Sequence, residues 1–170
     1  MKDLAIKSMK LNRDLDRYVE QALEQGRPVK IGWGRAGDER PKDGEFGVLT
    51  HLPEGAKVLC LGNLGPLVGA ANRGGTLTIR GNTGSMVASF QVKGKTVVEK
   101  DVGNKAGFGM QGGEVTIQGS SGSETGSAMS GGVLLVRGQA GDYLGSRMSG
   151  GSVIVMGSVG SDPGTGMTGG

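Results

Sequence analysis

The chain has 170 residues, the length of one domain, and its 36 glycines amount to roughly three times the average usage. Five prolines and no glycine at every third position exclude collagen, and regularly spaced Val, Ile and Leu exclude general disorder. A net charge of +3 with 4% aromatic residues does not support nucleic-acid binding, and one cysteine excludes an internal disulfide.

The first predicted element is a helix over residues 11–25. Leu15, Val19 and Leu23 recur every four residues and give the helix one apolar stripe. Asn12 is the expected N-cap, and Gly26 is the expected end. We expect residues 1–56 to form a cap of helix and loop over the repeat that follows, rather than a free helix that awaits a partner.

A polar, glycine-bearing loop is predicted over residues 32–47, after a short strand at residues 28–31. Its segment Gly32–Gly37 formally matches a dinucleotide-binding fingerprint. The charged stretch that follows is broken by Pro41, so no helix and no βαβ unit surround the match. We therefore expect a loop, and a catalytic site of its own at Trp33, with Arg35 and Asp38, is kept as a separate hypothesis.

Residues 57–170 carry a repeat of 19 residues without insertions. The first residues of its units are Gly62, Gly81, Lys100, Gly119, Gly138 and Gly157. Most units contain a Gly-Gly pair followed by a run with apolar residues two apart. Ala88, Lys93 and Lys100 break the glycine pattern.

Residues at equivalent positions of successive units form columns. Two apolar columns are predicted to point inward: Leu77, Thr96, Val115, Leu134 and Val153, and Ile79, Val98, Ile117, Val136 and Val155. One short strand cannot bury itself, but similar strands stacked at about 4.8 Å can. A unit this short leaves little room for a helical crossover. The fold class is therefore all-β, a parallel β-helix of about six coils with an N-terminal capping helix.

A methionine column recurs at Met110, Met129, Met148 and Met167. Thioether sulfur is a soft metal ligand, but a recurrence beside the glycines favours core packing. Asn72 and Gln91 occupy this column in the first two coils. If they point inward, their amides need partners, and a ladder between the two is one solution.

The side chains that carry chemistry form no recognisable constellation. His51 is the only histidine, which suggests a surface or cap residue rather than a triad or zinc site. Cys60 lies in an apolar run in register with Ile79 and is predicted to be a core residue. The acidic residues of the repeat are scattered over its positions. We assign no catalytic, cofactor-binding or metal-binding residue.

The stretch Gly141–Gly151, with its Gly-x-x-x-Gly-x-x-Met-x-Gly-Gly pattern, resembles the GXGXG domain family. That family includes the C-terminal domain of the glutamate synthase large subunit and the glycine-repeat subunit of formylmethanofuran dehydrogenase. The segment Leu11–Gly26 resembles the helix of stand-alone glutamate synthase-like members. The segment Gly157–Met167, with Pro163, resembles coils of the formylmethanofuran dehydrogenase protein, so the choice between the branches stays open.

The resemblance implies a right-handed helix that acts as a non-catalytic scaffold in a multisubunit oxidoreductase, with no activity expected of the chain alone. It implies no cofactor on this chain, and places FMN, iron–sulfur or molybdopterin or tungstopterin groups on partner subunits. Expected partners are catalytic subunits, or a second copy bound through the open C-terminal coil, but neither nucleic acid nor membrane. A cytoplasmic location is expected. The alternative is a stand-alone β-solenoid that binds protein or glycan.

Overall fold

The computed structural model describes residues 2–32 and 46–170, which form one helix and a parallel β-solenoid. The helix is α1 (Lys2–Glu24). The strands are β1 (Val29–Ile31), β2 (Lys57–Leu61), β3 (Arg73–Arg80), β4 (Lys93–Val98), β5 (Glu114–Ile117), β6 (Ser130–Val136) and β7 (Gly150–Val155). They form one sheet in chain order, and every neighbouring pair is parallel.

The helix is longer than the sequence predicted. It begins at Lys2, so Asn12 lies inside it and the predicted N-cap is wrong. Its predicted end is confirmed: Gly26 has a φ of 64°, and the Arg27 amide donates to the Ala22 carbonyl at 2.8 Å. Leu15 and Val19 are buried, and the helix packs against β1 and β2. The described part of the chain contains no helix with the length and apolar character that a membrane crossing requires.

The stacking begins before residue 57, where the repeat first becomes visible in the sequence. Strand β1 confirms the short strand predicted at residues 28–31, and it pairs with β2 through Val29 and Val58. The segment 46–56 stacks under the next turn, because the Gly69 amide donates to the Val48 carbonyl at 3.1 Å. Val48, Leu49 and Leu52 are buried. The first coil is therefore closed by packed chain on its amino-terminal side.

The 19-residue repeat is confirmed as the rung spacing of the solenoid. Five successive steps carry the chain from Val58 in β2 to Val153 in β7, through Leu77, Thr96, Val115 and Leu134. The parallel column from Cys60 to Val155 repeats the same register. Both columns point inward and are buried from Val58 and Cys60 to Leu134 and Val136. The core is thus a stack of these two columns.

The turn of each coil places three alternate residues in the left-handed region. In one coil they are Glu124, Gly126 and Ala128, with φ values of 57°, 70° and 58°. Glycine favours this conformation, and the central position has a second reason for it. A Cβ built on the equivalent Gly145 would lie 2.8 Å from the Met148 sulfur. The glycine therefore makes room for the methionine of its own coil.

Short polar side chains link successive coils at the surface. The Asn63, Asn82 and Asp101 side-chain oxygens each accept the backbone amide of the residue 19 positions later. Asn104 and Asp142 do the same on a second column. These bonds satisfy backbone donors at bends, where no strand ladder reaches them.

Candidate functional site

The methionine column is a core feature in the interior coils. Met110 and Met129 are fully buried, and Met148 is 2% exposed. Met167, in the last coil, is 41% exposed. The predicted packing role is confirmed for the first three.

Asn72 and Gln91 point inward but do not bond to each other, so the predicted ladder is wrong. The Asn72 side chain bonds to the backbone of Gly74 and Gly75. Gln91 accepts from the Thr96 hydroxyl at 2.8 Å and donates to the carbonyls of Gly94 and Glu114. Each amide is therefore satisfied within its own coil or by the next rung.

His51 lies where α1 meets the first coil. It shares an open cleft of about 180 Å³ with Asp16 and Glu20. Partial burial raises the pKa of Asp16, repulsion from Glu20 raises it further, and attraction to His51 lowers it. The same cleft is lined by Val19 and Leu52, which are buried where α1 packs on the first coil.

Five of the six acidic residues of the repeat make structural contacts through their side chains. Carboxylates of three of them pair with a cation one coil away, in the pairs Arg80–Glu99, Lys95–Glu114 and Lys105–Glu124. Cys60 is fully buried opposite Ile79, as predicted. Over residues 2–32 and 46–170, no group of His, Cys, Asp and Glu is arranged to hold a metal ion. Most of the fingerprint-like segment and the Trp33 hypothesis, with Arg35 and Asp38, lie outside the described residues.

The exposed face of the last coil differs from every interior coil. Val153 and Val155 are only half-buried, whereas Leu134 and Val136, one rung earlier, are fully buried. An open apolar depression of about 580 Å³ is lined there by Leu144, Met148, Val153 and Met167. Ile154, which also lines the depression, and Met156 are exposed. The solenoid core is thus accessible at this face.

Comparison with known proteins gives a family match. The GXGXG motif family matches residues 15–170, which include part of α1 and all seven strands. Neither the curated proteins nor the solved structures yield a match. Because the match spans nearly the whole chain and the solenoid carries the glycine pattern in register, the chain belongs to the GXGXG motif family.

Proposed function

We propose that this chain is a non-catalytic scaffold, as a subunit or a domain, of a multisubunit oxidoreductase of the glutamate synthase or formylmethanofuran dehydrogenase kind. The family match over residues 15–170 supports this assignment at the level of the domain type. The acidic side chains of the repeat support it too, because three of them form ion pairs and two others accept backbone amides. A scaffold needs surfaces rather than a reactive centre.

The observation that carries the proposal is the family match, and the apolar face of the last coil is the surface on which we propose that the partner stacks. Apolar columns that are buried in every interior rung meet solvent there, with Val153 and Val155 half-buried. Strand β7 also leaves one edge without a neighbouring strand among the described residues. A catalytic subunit or domain that stacks on this face would bury the apolar columns and pair the strand edge.

No cofactor is proposed for this chain itself. Flavin, iron–sulfur or pterin groups would lie on the partner that stacks on the solenoid. The purified chain should therefore show no visible absorption band and no turnover alone. A chromophore that co-purifies with the isolated chain, or turnover that is lost on changing Arg35 or Asp38, would contradict the scaffold role.

Assembly of the native complex provides the direct test. Met167→Asp places a charge on the accessible face, and Val133→Asp places the same charge on a side chain of nearly equal exposure in β6, one rung before the last strand, 42% against 41%. We expect Met167→Asp to abolish co-purification of a catalytic partner with the tagged chain, and Val133→Asp to preserve it. Circular dichroism and thermal denaturation check that both variants stay folded.

Three outcomes are informative. Loss of the partner with Met167→Asp alone supports stacking at this face. Retention of the partner by both variants would show that assembly uses another surface. Loss of a dimer rather than of a heterologous partner, measured by light scattering, would assign the face to a second copy of the chain.

A further inference from the structure

Two aromatic residues on the side of the solenoid depart from the repeat. The residues at the equivalent positions of the other coils show whether the fold itself needs an aromatic ring there. The column of Phe90 otherwise holds Ala71, Gly109, Ala128, Arg147 and Gly166, and that of Phe108 holds Ala70, Ser89, Ser127, Ser146 and Thr165. The backbone forms the same turn in these coils. The fold therefore does not require an aromatic ring at either position.

The two rings pack against each other at the surface, where Phe90 is exposed and Phe108 is half-buried. Phe90 is 45% exposed, and its ring meets Phe108 edge to face, with centroids 5.6 Å apart and planes at 86°. Beneath it lies Gly109, where a Cβ would come within 2.8 Å of the Phe90 ring. The Phe90 ring lies against the backbone of a glycine, which restricts its motion. Binding should therefore cost little further side-chain entropy.

Two cations that lack an acidic partner in the described part of the chain lie at the starts of β3 and β4, and the second of them follows Phe90 by three residues. Arg73 and Lys93 are register partners on β3 and β4, and both are exposed. Like charges directly opposite on neighbouring strands are destabilising, and within the described residues neither has an acidic partner. Val92, exposed, lies between Phe90 and Lys93 in the chain. Phe90, Val92 and Lys93 are therefore close along the chain, and Arg73 is the partner of Lys93 on the neighbouring strand.

We infer that the surface formed by Arg73, Phe90, Val92, Lys93 and Phe108 binds an acidic protein segment that carries an apolar side chain. The apolar side chain packs on the rings, and carboxylates neutralise the two cations. A single-stranded nucleic acid fits less well, because perpendicular rings do not offer parallel faces to successive bases. From here on these five residues are called the Phe90 surface.

The Phe90 surface is separate from the stacking face of the proposed function. Phe90 and Gly166 occupy the same column four coils apart, which corresponds to about 19 Å along the solenoid axis. Binding at one face does not require the other. Failure of either proposal therefore leaves the other open to its own test.

The test uses the full chain and three synthetic peptides of equal length. Each peptide has a central Leu-Phe pair, flanked by aspartates, by lysines or by glutamines. Isothermal titration calorimetry at low salt should show binding of the aspartate-flanked peptide alone. Phe90→Ala should weaken it about tenfold, as expected for a central aromatic anchor, and Lys93→Glu by at least as much. Raising the salt concentration should weaken it further.

Tyr143→Ala is the matched control, because Tyr143 is equally exposed at 46% but lies two coils beyond the Phe108 coil. It should bind the aspartate peptide as the unmodified chain does. Equal binding of all three peptides, or equal affinity of the Phe90→Ala variant, would overturn the inference. Tighter binding of an oligouridylate than of the aspartate peptide, lost in the same variants, would replace the acidic segment with nucleic acid.

Discussion

Phe90 donates its backbone amide to the carbonyl of Phe108 at 2.8 Å, and the two rings meet edge to face beside that bond. The bond spans 18 residues, which is the amide-to-carbonyl offset that parallel pairing in the 19-residue register produces, as in the bond from the Leu64 amide to the Asn82 carbonyl. Side chains on neighbouring columns are thereby brought together. An aromatic pair at this place needs no change in the turn itself.

The contact between Phe90 and Gly109 predicts a coupling that a double-mutant cycle measures. Gly109→Ala adds a Cβ in a left-handed residue and pushes on the ring, so we expect it to lower the free energy of unfolding by about 1–2 kcal/mol. In the Phe90→Ala variant, Gly109→Ala should cost less stability, because the contact between the added Cβ and the ring is then absent. Gly166→Ala is the control, since its nearest neighbour is the Arg147 Cγ at 3.5 Å. Equal losses at Gly109 and Gly166 would contradict the ring contact.

The buried serine column predicts opposite effects for two similar substitutions. The Ser127 and Ser146 hydroxyls bond to each other at 2.7 Å inside the solenoid. Ser146→Ala leaves the Ser127 hydroxyl without that partner and should cost about 1–3 kcal/mol, most of which Ser127→Ala in addition recovers. Ser89, in the same column, is buried with no bond to its hydroxyl. Ser89→Ala should therefore be neutral or stabilising in denaturant titrations.

Much of the fold was predictable because the constant spacing of the repeat identifies which residues of successive strands are partners. A 19-residue step without insertions places Leu77 beside Thr96 before any coordinate is known, and the structure confirms it. The start of α1 was not predictable from Asn12, since asparagine is only moderately unfavourable inside a helix whose neighbours are good formers. Strand β1 was predicted, but its partner was not, because it lies outside the repeat.

The Phe90 surface was not visible in the sequence for a physical reason. Phe90 and Phe108 fall in different columns of the 19-residue repeat, so equal spacing shows no aromatic ladder. Their contact depends on the slanted bonds between parallel coils, in which the Phe90 amide reaches the carbonyl of Phe108 rather than that of Gly109 in its own column. Likewise, Gln91 was expected to meet Asn72 in its column but bonds to Thr96, whose hydroxyl lies within reach inside the same coil.

The pKa of Asp16 predicts a pH dependence of the junction between α1 and the first coil. Burial and Glu20 raise it above its ordinary value of 3.8, although His51 opposes them. The folded chain then binds more protons than the unfolded chain between the two values, so stability falls as pH rises through this window. Asp16→Asn should raise the melting temperature near pH 7.

The same substitution should have less effect at about pH 3, where the carboxyl is protonated in both states. The other effects of asparagine, such as its helix propensity, are nearly independent of pH. Only the difference between the shifts in melting temperature at the two pH values therefore reports on ionisation of Asp16. An equal shift in melting temperature at both pH values would contradict this prediction.

The hydrogen bond between Gln91 and Thr96 predicts how stability changes when Gln91 is replaced by methionine, the residue that later coils have in its column. Gln91→Met restores the methionine of Met110 and Met129, yet it removes the acceptor of the buried Thr96 hydroxyl and should destabilise by about 1–3 kcal/mol. Adding Thr96→Val, which matches Val115 in the next rung, should recover the part of that loss that comes from the unpaired hydroxyl, although the carbonyls to which Gln91 donates stay without its amide. Thr96→Val alone should also destabilise, since the Gln91 oxygen loses its donor. Additive effects of the two changes in thermal denaturation would show that the pair is not coupled.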